Sequence, residues 1–75
     1  MRERVLRRLG QNVRALRLKR AWSQEQLAEA SGSHTNYVGG IERGERNPTA
    51  TKILAIASAL NVEPADLFAG IKTKK

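Results

Sequence analysis

Arginine and lysine are the residues whose number and placement could do chemistry in this sequence. Fourteen basic side chains stand against seven acidic ones in 75 residues, a net charge of +7 at pH 7. The chemistry open to such an excess is recognition of a polyanion, and nucleic acid is the commonest one. Residues 1–20 carry eight basic side chains against Glu3 alone. Residues 21–48 carry Arg43 and Arg46 against Glu25, Glu29, Glu42 and Glu45, and residues 49–75 carry four lysines against Glu63 and Asp66. Catalytic chemistry finds no comparable support. A single histidine and no cysteine leave neither a zinc cluster nor a disulfide. No nucleophile stands beside a base, and Gly39-Gly40 falls inside an expected helix rather than in a phosphate-binding loop. The sequence is therefore expected to need no cofactor, metal or small-molecule substrate, and to be no enzyme.

The elements that must hold these side chains follow from periodicity. Val5, Leu6, Leu9, Val13 and Leu16 recur at steps of three and four, one stripe of an amphipathic helix over about residues 3–20. Arg4, Arg7, Arg8 and Arg14 fall off that stripe, and Gly10 interrupts it at a cost of about 1 kcal/mol relative to Ala. Ser23-Gln24-Glu25-Gln26 reads as a capping box opening a second helix to about Ala30, with Trp22 and Leu27 placed to form a hydrophobic staple. Gly32 can take the left-handed conformation that ends it. A third helix is expected from Thr35 to about Arg43, with Tyr37, Val38 and Ile41 facing inward, Thr35, Asn36, Gly39 and Gly40 on the other face, and Gly44 as its stop. Thr49 caps a fourth over about residues 50–60, apolar around more than half its circumference. Glu63-Pro64 opens a last short helix.

The fold class expected is all-α, a compact five-helix domain occupying residues 1–75, with residues 72–75 a frayed basic tail. The longest apolar run, Ile53–Leu60, is interrupted by Ser58 and is far too short to cross a membrane. Residues 1–9 hold four arginines and no apolar stretch of the kind a secretory signal needs, so a cytoplasmic location without membrane attachment is expected.

Two short helices joined by a tight glycine-containing turn form the helix-turn-helix pattern. In it the second helix enters the DNA major groove by its N-terminal residues, while the first crosses the backbone. The segments Trp22-Ser23-Gln24-Glu25-Gln26-Leu27-Ala28 and Tyr37-Val38-Gly39-Gly40-Ile41-Glu42-Arg43-Gly44-Glu45-Arg46-Asn47-Pro48 closely resemble the phage-repressor-like (Cro/repressor, or XRE) helix-turn-helix family, over about residues 9–68. The Gly-Gly-Ile-Glu-Arg-Gly stretch in a chain of this length looks similar to restriction–modification controller proteins. The resemblance implies a lambda-repressor-like domain that binds double-stranded DNA as a homodimer and controls transcription. An antitoxin or another protein–protein module that keeps the fold without reading DNA is the alternative.

The resemblance also implies roles for particular residues. Thr35 and Asn36 match the first positions of the recognition helix. There Asn can pair bidentately with adenine, and Thr can touch a thymine methyl or a phosphate. Gln24 stands where the family holds a phosphate at a helix N-terminus. Arg43, Arg46 and Asn47 follow the recognition helix, where contacts to the DNA backbone give affinity rather than sequence information. His34 departs from the Ser or Thr common in relatives, and either caps weakly or reaches the DNA backbone. Gly39 and Gly40 replace longer polar side chains. Either they admit close approach of the helix to bases, or reading shifts to Thr35, Asn36 and DNA shape. Arg17 and Glu42 match an internal ion pair. Leu67, Phe68 and Ile71 are expected to form a two-fold dimer interface, because the chain carries more apolar side chains than one small core needs.

Overall fold

The structure is a computed structural model and describes residues 2–72. Four α-helices, α1 (Arg2–Lys19), α2 (Gln24–Ser31), α3 (Thr35–Glu42) and α4 (Ala50–Leu60), are followed by a 3-10 helix, Pro64–Phe68. There is no strand among the described residues. Helix limits lie within one residue of those expected from the sequence. The fifth helix is the exception, because it is a single 3-10 element and not an α-helix. The Leu67 carbonyl, which could continue a helix, instead accepts from Asn12 Nδ2 at 2.9 Å, so the element stops after one short turn.

The core is one cluster of Leu9 and Val13 from α1, Leu27 and Ala28 from α2, Val38 and Ile41 from α3, Ile56, Ala57 and Leu60 from α4, and Leu67. Trp22, Tyr37, Leu16, Ile53 and Val62 pack partly buried against it. So Leu9, Val13 and Leu16 of the α1 stripe turn inward, while Val5 and Leu6 are half-buried outside the cluster, and α4 contributes Ile56, Ala57 and Leu60 to the core with Leu54 left exposed. α1 packs on α3 and on the 3-10 helix, α2 on α3 and α4, and α4 on the 3-10 helix. No helix of the described residues is long and apolar enough to cross a membrane. The tail expected to fray lies outside the described residues, apart from Lys72, which is exposed.

The helix ends follow from local chemistry. Ser23 Oγ accepts from the Gln26 amide at 3.1 Å while Gln26 Oε1 accepts from the Ser23 amide at 2.7 Å, completing the capping box. Gly32, at φ +70°, ends α2, and the following Ser33 amide bonds back to the Ala28 carbonyl at 2.8 Å. Thr49 Oγ1 accepts from the Lys52 amide at 3.2 Å at the start of α4.

Candidate nucleic-acid interface

The turn between α2 and α3 is short because both its ends are closed by backbone bonds. Gly32 bends the chain, and His34, in extended conformation, offers its carbonyl to the Tyr37 and Val38 amides at 3.0 and 3.1 Å. The His34 side chain makes no capping bond and is exposed. This leaves the Thr35 and Asn36 amides at the start of α3 open to a phosphate or base, as helix N-termini commonly are. Asn36 is exposed beside them and Thr35 is half-buried. Val38 and Ile41, on the opposite face, are fully buried and lock α3 to the domain. Tyr37 is only partly buried; the Arg46 guanidinium lies 5.7 Å from its ring centre and Lys52 Nζ 5.8 Å away.

The far end of α3 is fastened by a charged node. Arg17 Nε donates to Glu42 Oε2 at 2.7 Å and Arg17 Nη2 to Glu42 Oε1 at 2.9 Å, a two-pronged pair between side chains that are almost wholly buried. Arg17 Nη1 also donates to the Trp22 carbonyl at 2.7 Å, and Gln24 Nε2 donates to Glu42 Oε1 at 3.0 Å. The hydrogen bonds that Arg17 donates to Glu42 raise its guanidinium above the ordinary value, against the opposing effect of burial, so it stays charged. The node joins the end of α1, the start of α2 and the end of α3. It therefore sets how the two helices of the motif stand on α1.

The structure brings Gln24, Arg43 and Arg46 together over Gly39 and Gly40. A Cβ on Gly39 would stand 3.0 Å from Arg43 Nη1 and 3.3 Å from Gln24 Oε1, and one on Gly40 would stand 2.7 Å from Arg46 Cγ. The face of α3 expected to carry these two glycines is thus covered: both are buried beneath the three long side chains. The Gln24 amide is likewise not idle, because it is engaged on Glu42. Arg43, Arg46 and Asn47 are exposed in the loop after α3, where Arg43 Nε pairs with Glu45 Oε1 at 3.1 Å. Such a surface pair contributes little and can be exchanged for a phosphate.

Two further differences concern residues away from α3. Leu67 has 0% of its surface exposed, so it belongs to the chain's own core and is not available to a partner; Phe68, at 37%, and the half-buried Ile71 remain. Leu54, at 55%, and Leu18, at 50%, are more exposed than either. Sequence reasoning also missed the polar ties beneath the 3-10 helix. Asn12 Nδ2 donates to the Leu67 and Ala69 carbonyls at 2.9 and 2.8 Å, and Arg8 Nε donates to Ala69 at 3.2 Å. Nothing in helical periodicity marks Asn12 for this, since its partners lie 55 and 57 residues away. Among the described residues no group of histidine, aspartate and glutamate is placed to hold a metal ion.

The comparisons with known proteins agree with this geometry. Residues 13–67 match the model of a family described as helix-turn-helix. The control protein C.SmaI of Serratia marcescens is 44% identical over 69 residues, spanning 89% of this chain and 82% of that one. The control protein C.BamHI of Bacillus amyloliquefaciens is 45% identical over 60 residues, spanning 79% and 74%. The crystal structure of the restriction-modification controller protein C.AhdI from Aeromonas hydrophila superposes with a TM-score of 0.83 at 49% identity, covering 84% of this chain and 96% of that one. Together with the placement of α2 and α3, these matches show that the chain belongs to the XRE-type helix-turn-helix family of DNA-binding transcription regulators.

Proposed function

We propose that the protein is a sequence-specific regulator that binds a pseudo-palindromic DNA operator as a homodimer and controls restriction–modification genes. The observation that carries DNA reading is the start of α3: the open Thr35 and Asn36 amides, with the Asn36 side chain exposed beside them, at the tip of a helix locked behind by Val38 and Ile41. Asn36 and Thr35 read base edges in the major groove. Gln24, His34, Arg43, Arg46 and Asn47 hold the DNA backbone on either side, and they carry the salt dependence of binding. Polar and basic residues at this face favour DNA over a purely protein partner. Likeness to control proteins over most of both chains supports the assignment to restriction–modification control. The work is done inside the cell, where the operator is, and needs no cofactor.

A helix of eight residues reads few base pairs alone, so a two-fold pair of them is needed for a unique site. Phe68, Ile71 and the exposed Leu54 supply the apolar surface for that pairing. Selection of bound duplexes from a random DNA pool tests the reading: one enriched motif with two-fold symmetry supports it, and recovery of unrelated sequences would overturn it.

A further inference from the structure

Gly39 and Gly40 have no side chain to offer DNA, yet three of the side chains assigned to the DNA backbone end on them. The Arg46 stem crosses α3 where the side chain of residue 40 would be, 2.7 Å from an added Cβ at Cγ and 3.3 Å at Nε. Its guanidinium is thereby laid toward the Tyr37 ring, 5.7 Å from the ring centre. One residue earlier, Arg43 Nη1 and Gln24 Oε1 close over Gly39. Two glycines in the middle of an eight-residue helix weaken it, because glycine is a poor helix former. A helix that carries them needs a compensating use.

We propose that the Gly39–Gly40 pair is a seat that positions Arg46, and with it Arg43 and Gln24, for contact with the DNA backbone. An arginine free in solvent samples many rotamers and must be ordered when it meets a phosphate. Pressed into the groove left by a missing Cβ and against an aromatic ring, Arg46 is ordered beforehand. The glycines are thus positioning residues acting through the arginines, and they do not read bases. The inference rests on the DNA-binding reading above, but the seat itself is a property of the free protein and is measurable without DNA.

The test compares Gly40→Ala, Arg46→Ala and the double variant. In the free protein, Tyr37 is the one tyrosine, so its ring resonances report, without overlap, the cations beside it, Arg46 at 5.7 Å and Lys52 at 5.8 Å, of which only Arg46 is altered by these variants. Gly40→Ala is expected to move them as Arg46→Ala does, and the double variant to move them no further. On a mixed-sequence DNA duplex, each single variant is expected to bind about tenfold more weakly, the loss of one charged hydrogen bond. Arg46→Ala should also have a salt dependence shallower by about one unit, whereas Gly40→Ala, which keeps the charge, should not. Gly40→Ala should add nothing once Arg46 is gone. Should Gly40→Ala fail to fold, the same cycle with Gly39→Ala and Arg43→Ala replaces it, since there the added methyl meets only the far ends of two flexible side chains. The seat is refuted if the glycine and arginine effects simply add, or if Gly40→Ala leaves both the Tyr37 resonances and the affinity for DNA unchanged. A wild-type protein that does not bind DNA would overturn the functional reading alone, with the ring resonances still deciding whether the seat exists.

Discussion

Gly10 of α1 lies directly against the backbone of Ile41 at the end of α3. A Cβ on Gly10 would run into the Ile41 carbonyl oxygen and stand 2.6 Å from that of Glu42. The helices can cross this closely only because residue 10 has no side chain. Gly10→Ala is therefore expected to destabilise the domain by about 1–3 kcal/mol, the usual cost of overpacking, although Ala is the better helix former by about 1 kcal/mol. A thermal melt checks the sign. An increase in melting temperature would mean that the crossing can widen without loss.

The Arg17–Glu42 pair should matter for folding and not for base choice. Breaking a buried pair by removing one partner costs about 3–5 kcal/mol. Glu42→Gln is expected to lower the melting temperature clearly and to leave the preferred operator sequence the same. Because the Arg17 pKa is raised in the folded state, its contribution is complete below the ordinary guanidinium value and is lost only as pH rises beyond it. Titrating Arg17 should therefore produce no stability change across the neutral range, which denaturant melts at several pH values would check.

Asn36 and Arg43 should separate specificity from affinity. Asn36→Ala is expected to lose about 1–3 kcal/mol of discrimination at one base pair, with weak binding to unrelated DNA nearly unchanged. Arg43→Ala should weaken all sequences alike and flatten the salt dependence by about one unit. Binding titrations across a panel of operator variants distinguish the two; identical profiles would show that the roles are misassigned.

Assembly should depend on the exposed apolar residues and not on Leu67. Phe68→Glu or Ile71→Glu is expected to shift a concentration-dependent equilibrium toward monomer and to weaken operator binding, with the monomer still folded. Leu67→Ala, which empties part of the chain's own core, should instead cost about 2–5 kcal/mol of stability. Sedimentation and thermal melts read the two effects separately. Charged variants at 68 and 71 that remain dimeric would place the interface elsewhere, with Leu54 the next residue to test.

Much of this was legible in the sequence, and for definite reasons. Helix limits could be read because each rests on neighbours in the chain: Ser23 with Gln26, Thr49 with Lys52, Gly32 at the end of α2. The inward faces of α1 and α4 follow from spacing alone. The Arg17–Glu42 pair came only through the family resemblance, since no local pattern joins residues 25 positions apart. What could not be read depends on distant packing. Gly10 looks like a flaw in α1 until α3 is laid across it, and Asn12 looks like a solvent-facing residue until the Leu67 carbonyl arrives. Gly39 and Gly40 could be placed on the face opposite Tyr37, Val38 and Ile41 because a helical wheel shows which side they occupy, but it does not show which side chains fold back over them. Leu67 was read as surplus surface because its burial depends on the turn that brings the 3-10 helix under α1 and α4.

The central claim is that two copies of this chain present two α3 helices to one operator. Footprinting of the wild-type protein on the site selected from a random DNA pool tests it most directly. The account predicts two protected patches related by a two-fold axis, with centres about 34 Å apart, one turn of the duplex. Both patches should fill together as protein is added. A single asymmetric patch the size of one domain, filled at the same concentrations, would contradict it.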